Sequence, residues 1–288
     1  MRISAAGFRD GPGALRSLRE LKQAFGCTTD DDPTDEDDDS VPTDKRGRTA
    51  CAADGGWTVT ARIITVANLK GGVGKSNIAV NLACELGGGS RRVALVDADP
   101  QGTSTHWMSR GRYPAKIYTI PLEDERGAQR WMTKVLSIES DFVLIDCPAH
   151  SRAVTETALG LSRLAIIPLT ASGPDLIATT NVLNLIETSR SIRDSNDLSF
   201  LLVPSKIDHR TGAGRRIGDV LRHLGDVVGP EVRQRTAFVD AFGERKWIGD
   251  FAPKSDARLD IVNLANAVLA KLEEIERFSE DNPAARVS

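Results

Sequence analysis

The chain has 288 residues, 40% hydrophobic and 27% charged, enough to bury one sizeable core in a single main domain. Its formal net charge of -3 gives no global attraction to nucleic acid or anionic lipid, so any such binding has to come from a local patch. Cys27, Cys51, Cys84 and Cys147 form no CxxC pair, which argues against a zinc site or a disulfide framework, and no apolar run approaches the roughly 20 residues of a membrane helix, so the reading is a cytoplasmic protein.

Residues 1–60 read as a separate extension, disordered or partly helical. Leu15, Leu18, Leu21 and Phe25 recur at near-helical spacing among Arg16, Arg19 and Lys22, whereas residues 30–39 are an acidic run that cannot bury itself. From residue 61 onward, short apolar runs at 63–66, 93–96, 142–145, 164–167 and 200–203 alternate with helical patterns. Continuous apolar strands separated by helices predict an α/β domain over 61–278, a doubly wound, mostly parallel sheet flanked by helices on both faces. Ligands then sit at the carboxyl ends of the strands. Over 256–278, Ile261, Leu264, Val268, Leu272 and Ile275 share one stripe, which predicts a terminal helix docked on the sheet, and 279–288 read as a flexible tail.

The first strand runs into Asn68-Leu69-Lys70-Gly71-Gly72-Val73-Gly74-Lys75-Ser76, and Ile78, Leu82 and Leu86 then mark a helix that stops at Gly87-Gly88-Gly89. Strand, glycine loop and helix in this order make a P-loop NTPase-like phosphate site. The backbone N–H groups of Gly71, Gly72, Val73 and Gly74 can turn inward around phosphate oxygens, and the helix N-terminus adds partial positive charge. Lys75 is placed to contact the β- and γ-phosphates and the Ser76 hydroxyl to hold Mg2+. Leu69 stands where the common pattern has its first glycine, with Lys70 beside it.

This loop resembles that of the ParA/MinD family of deviant Walker A ATPases, which reads KGGxGK followed by Ser or Thr, and the likeness extends over roughly residues 62–272. The resemblance implies that Lys70 reaches across an ATP-bound homodimer to the partner's phosphates. Asn77 stands where the family has Thr or Ser and takes the place of that nucleotide-binding residue.

The strand at 93–96 ends in Asp97 and Asp99, whose side chains leave the sheet on the same side because they are two residues apart. In the family the acid matching Asp99 handles the attacking water and that matching Asp97 supports the Mg2+ shell. The strand at 142–145 delivers Asp146 to the same edge, matching the Walker B acid that holds Mg2+. Cys147-Pro148-Ala149-His150 follows, where the family's switch reads DxPP. Cys147 reads as a packed small residue, and His150 as a solvent-facing residue of the turn, with a γ-phosphate contact as the alternative.

Residues 202–211 and 251–255 resemble the family's two base-contacting segments, with Ser205 facing the base and Pro253 lying against the purine. Between Ser205 and Lys254, ten Lys/Arg stand against seven acids, an excess of three. DNA binding without sequence preference needs only a few phosphate contacts on one face; Arg210, Arg215, Arg216, Arg245 and Lys246 are the candidates. The resemblance is to short ParA partition proteins lacking a helix-turn-helix domain. It implies a weak, partner-stimulated ATPase requiring ATP and Mg2+, nucleoid-associated when ATP-bound, with a ParB-like or other cargo adaptor and no membrane. A MinD-like membrane regulator is the alternative, against which stands the polar, acidic tail.

Overall fold

The computed structural model of the chain describes residues 61–122, 127–193, 198–222 and 227–281. The extension 1–60, with its helical spacing, acidic run, Cys27 and Cys51, lies outside the described residues, as do 282–288.

Seven strands form: β1 (Arg62–Val66), β2 (Val93–Asp97), β3 (Lys116–Thr119), β4 (Phe142–Asp146), β5 (Leu164–Leu169), β6 (Ser199–Ile207) and β7 (Val232–Arg233). They pair in the order β3-β2-β4-β1-β5-β6-β7, every pair parallel. The five expected strands are all present. β3 and β7 were not expected, because β3 is half-exposed and lacks an apolar run, and β7 is two residues long.

The helices are α1 (Lys75–Leu86), α2 (Thr103–Trp107), α3 (Ala128–Leu136), α4 (Arg152–Leu161), α5 (Gly173–Arg193), α6 (Gly212–Arg222), α7 (Thr236–Gly243), α8 (Ile248–Phe251) and α9 (Asp256–Asp281). Successive strand side chains point to opposite faces, so each apolar run feeds two cores. Ile64, Val66, Leu95, Leu144 and Ile166 pack with Ile78 and Leu82 of α1 and Ile261, Leu264 and Val268 of α9. On the other face, Ile63, Val96, Val143 and Ile145 meet Trp131 and Val135 of α3 and Val154 and Ala158 of α4. Farther along that face, Ala165, Ile167, Phe200 and Leu202 pack with Val182 and Ile186 of α5 and Ile217 of α6.

The terminal helix is longer than expected, continuing through Asp281, and it packs chiefly on α1 and the β7 edge. The Arg62 guanidinium ties it to the start of β1 through a fork to Glu276, Nε to Oε1 at 2.6 Å and Nη2 to Oε2 at 2.8 Å. Asn81 does the corresponding work on α1. Its Nδ2 donates to the Asn77 carbonyl at 2.8 Å and its Oδ1 accepts the buried Ile248 N–H at 2.7 Å, fixing the start of α8 to the helix that follows the glycine loop. Asn81→Ala leaves that N–H without an acceptor and is expected to cost about 1–3 kcal/mol of stability, read from the shift of a urea unfolding midpoint.

Candidate functional site

The loop between β1 and α1 is shaped by Asn68, whose Oδ1 accepts the Lys70 N–H at 2.9 Å while its Nδ2 donates to the Pro168 carbonyl at 2.8 Å. Gly72 and Gly74 stand at φ 80° and 96°, in the left-handed region. At Gly74 space is also limiting, since a Cβ would come within 2.7 Å of Ser205 Oγ. The chain therefore enters α1 with the helix's unpaired N–H groups facing the loop. Lys75 is 8% exposed and its Nζ donates to the Lys70 carbonyl at 3.0 Å. Burial pulls its ammonium pKa down, opposed by the charge of Asp146.

Parallel register sets Asp146 level with both Val66 and Asp97, so the ends of β1, β2 and β4 meet at one place. Asp146 is fully buried. Its Oδ2 accepts the Ser104 hydroxyl at 2.7 Å, the Ser76 hydroxyl also bonds the carboxyl, and Oδ1 has no hydrogen-bond partner among the described residues. Burial pushes this carboxyl up to about 7 despite those hydroxyls. Asp97 is also raised by burial, but both its oxygens are engaged by backbone, Oδ1 by the Asp99 N–H at 3.2 Å and Oδ2 by the Thr105 N–H at 2.7 Å. Asp97 thus braces the loop that carries Asp99 and the start of α2. Asp99 is partly exposed, its Oδ1 capping the Gln101 N–H at 2.8 Å.

An orphaned carboxylate oxygen beside a loop hydroxyl fits a Mg2+ that arrives on nucleotide phosphates, with Asp146 and Ser76 as the holding groups. No cluster of His, Cys, Asp or Glu able to cage a metal alone occurs among the described residues. Asn77 is spent along the helix, its Oδ1 accepting Asn81 Nδ2 at 3.1 Å. Cys147 is buried and its thiol pKa is driven up by that burial, as befits packing rather than nucleophilic chemistry. Ser205 Oγ is buried against Gly74 without a hydrogen-bond partner among the described residues. Pro253 is exposed on the turn between α8 and α9, a turn tied to α1 through Arg258 and Glu85.

Lys70 is held differently from Lys75. Its ammonium pairs with Asp175, in the first turn of α5, whose carboxylate also takes the Thr170 hydroxyl. Burial works to raise the Asp175 carboxyl, yet Lys70, Thr170 and Ser172 together hold it below the usual range. Asp175, Ser104 and Asn68 are the site residues that the sequence reading missed. Only Asn68, directly before the loop, carried a local signal; the others arrive from distant segments.

The basic candidates divide into two groups. Arg210, Arg215 and Arg216 follow β6, with Arg210 forked onto Asp208 and Arg215 on the His209 and Arg210 carbonyls. Arg245 and Lys246 are instead stapled to the segment leading into β3, by the Tyr113 hydroxyl on the Arg245 carbonyl and Trp107 Nε1 on the Lys246 carbonyl at 2.9 Å. There they join Arg110 and Arg112 around a cavity of about 260 Å3, with Glu244 and Asp250 also in its wall. β6 and β3 are five strand spacings apart, which amounts to roughly 24 Å.

Because the folded Asp146 carboxyl titrates near 7 and its ordinary value is 3.8, the folded protein keeps a proton that the unfolded chain releases. That contribution to stability is complete below roughly pH 4 and is lost as the pH rises through about 7. Nucleotide-free protein in EDTA is expected to lose stability from this group between about pH 4 and about pH 7, and Asp146→Asn to flatten the decline, as thermal melts across that range would show.

The CobQ/CobB/MinD/ParA nucleotide binding domain is matched over residues 64–247. The chain is similar to the maintenance of carboxysome distribution protein A of Halothiobacillus neapolitanus, 30% identical over 202 residues that cover 69% of this chain and 92% of that one. It is also similar to the chromosome-partitioning ATPase Soj of Thermus thermophilus, 29% identical over 244 residues, 74% of this chain and 97% of that one. Among solved structures, the septum site-determining protein MinD complexed with Mg-ADP from Pyrococcus horikoshii shares the fold, with a TM-score of 0.59 at 19% identity over 72% of this chain and 96% of that one. With a glycine loop, two lysines and converging acids at the end of a parallel sheet, this chain belongs to the CobQ/CobB/MinD/ParA nucleotide-binding family.

Proposed function

We propose that the chain is a ParA-like ATPase that closes an ATP-dependent sandwich dimer, binds DNA without sequence preference and positions a plasmid, a chromosome or another intracellular cargo. The observation that carries this reading is the division between the two lysines of the loop. Lys75 is buried within its own phosphate site, whereas the Lys70 side chain is 37% exposed on the rim and held by Asp175. A rim lysine is free to act on phosphates presented by a second copy once its local partner lets go. The names of the relatives agree with a positioning role, one distributing carboxysomes and another partitioning chromosomes.

In this reading Lys75 and the loop amides neutralise the phosphates, and Asp99, part-exposed at the mouth, orients the attacking water. Mg2+, held through Ser76 and Asp146, would draw charge from the phosphoryl oxygens. Catalysis then rests on positioning and charge compensation, with little covalent work for the protein. A partner-stimulated, otherwise slow turnover follows if water handling is completed only in the dimer.

Lys75→Ala is expected to abolish nucleotide binding, whereas Lys70→Ala keeps it and loses ATP-dependent dimerisation; light scattering with ATP separates the two. Asp99→Ala is expected to bind ATP and accumulate as a dimer, and hydrolysis by that variant at the parent rate would remove Asp99 from the water-handling role. Arg215→Glu combined with Arg216→Glu is expected to weaken ATP-dependent DNA retention in a mobility-shift titration and to leave dimerisation intact. ATP-dependent pelleting with liposomes, in the absence of DNA binding, would favour the MinD-like alternative.

A further inference from the structure

The turn after β4 runs beside the glycine loop, the Cys147 N–H donating to the Val66 carbonyl at the end of β1 at 3.2 Å and the His150 N–H to the Leu69 carbonyl of the loop at 2.9 Å. His150 stands at φ 60°, in the left-handed region that a residue with a Cβ enters only against steric resistance. Glycine or asparagine would take that backbone with less strain, so the conformation by itself does not call for an imidazole. The side chain's direction does. Its Nε2 lies 3.6 Å from the point where a Cβ on Gly71 would sit, and the Ala149 methyl lies 3.8 Å from the same point. The ring therefore rests against the outer end of the glycine loop, close over Gly71. It is exposed and has no hydrogen-bond partner among the described residues.

Gly74 and Lys75 begin the helix, and the Lys75 side chain runs back along the loop to the Lys70 carbonyl. Gly71 lies at the opposite end of the loop, next to the Lys70 carbonyl that the Lys75 ammonium reaches and beside the turn that follows Asp146, so a terminal phosphate held by Lys75 would come to that end. We propose that His150 donates a ring N–H to the terminal phosphate of a nucleoside triphosphate held in this loop. The strained turn is then braced by a triphosphate and loses that brace with a diphosphate, which couples the segment leading into α4 to the state of the nucleotide. This rests on reading the loop as the nucleotide site, and it adds a contact residue that the family's DxPP pattern does not supply.

The test uses full-length protein in Mg2+, dilute enough to be monomeric, titrated with ADP and with ATPγS. His150→Asn keeps a residue that tolerates the left-handed backbone but is too short to reach across Gly71. It is expected to bind ADP within about two-fold of the parent and ATPγS about ten-fold more weakly. His150→Gly, which also removes the strain, is expected to show the same selective loss. Unchanged ATPγS affinity in both variants, or an equal loss for both nucleotides, would overturn the contact. Failure of the parent protein to bind either nucleotide would instead overturn the reading of the loop itself.

Discussion

The parallel register of β1, β2 and β4 is the constraint on which the site depends. It brings three strand ends level, and with them the Asp146 carboxylate, the Asp97 carboxylate and the start of α1. That place is closed to water, so charge there is costly unless it is compensated. Ser104, Ser76 and Lys75 compensate Asp146 only in part, which is why its pKa stays near 7, and among the described residues one of its oxygens has no hydrogen bond. A cation carried on nucleotide phosphates is the kind of group that completes such a balance, and the left-handed glycines and Asn68 shape the loop beside it.

The remaining polar groups fall into a second rank around that floor. Asp97 gives both oxygens to backbone amides and so holds the acid-bearing loop in place, leaving Asp99 at the mouth. Asn81 connects α1 to α8, so the helix entered from the glycine loop is mechanically continuous with the carboxyl-terminal layer. Lys70 and Asp175 connect the outer side of the loop to α5. Movement of the loop would thus be felt by helices on both faces of the sheet.

Much of this architecture was legible in the chain. The five central strands are buried on both faces and so appear as uninterrupted apolar runs, and the glycine loop sits between a strand and a helix as its chemistry requires. Asp97, Asp99 and Asp146 stood out because acids at the ends of such strands are expensive without a ligand. β3 and β7 did not stand out, because edge strands are short and half-exposed and their composition is that of a loop. The terminal helix was visible from its apolar stripe, but its main partner, α1, was not, since a stripe states that a face is buried and not against what.

The sequence by itself determined the order of the five central strands along the chain, the glycine loop and the positions of the acids, because each is written within a few consecutive residues. Only the tertiary structure decided which groups complete the site. Ser104 reaches Asp146, and Asp175 and the ring of His150 reach the loop, from separate segments, and their roles follow from distances that local spacing does not encode. The same holds for the basic residues. Sequence proximity joined Arg210, Arg215 and Arg216 with Arg245 and Lys246, whereas the fold ties the latter pair to the segment before β3 and brings Arg110 and Arg112 beside them. Charge along a chain is a one-dimensional property, and a binding face is set by how the sheet and its crossovers arrange that charge in space.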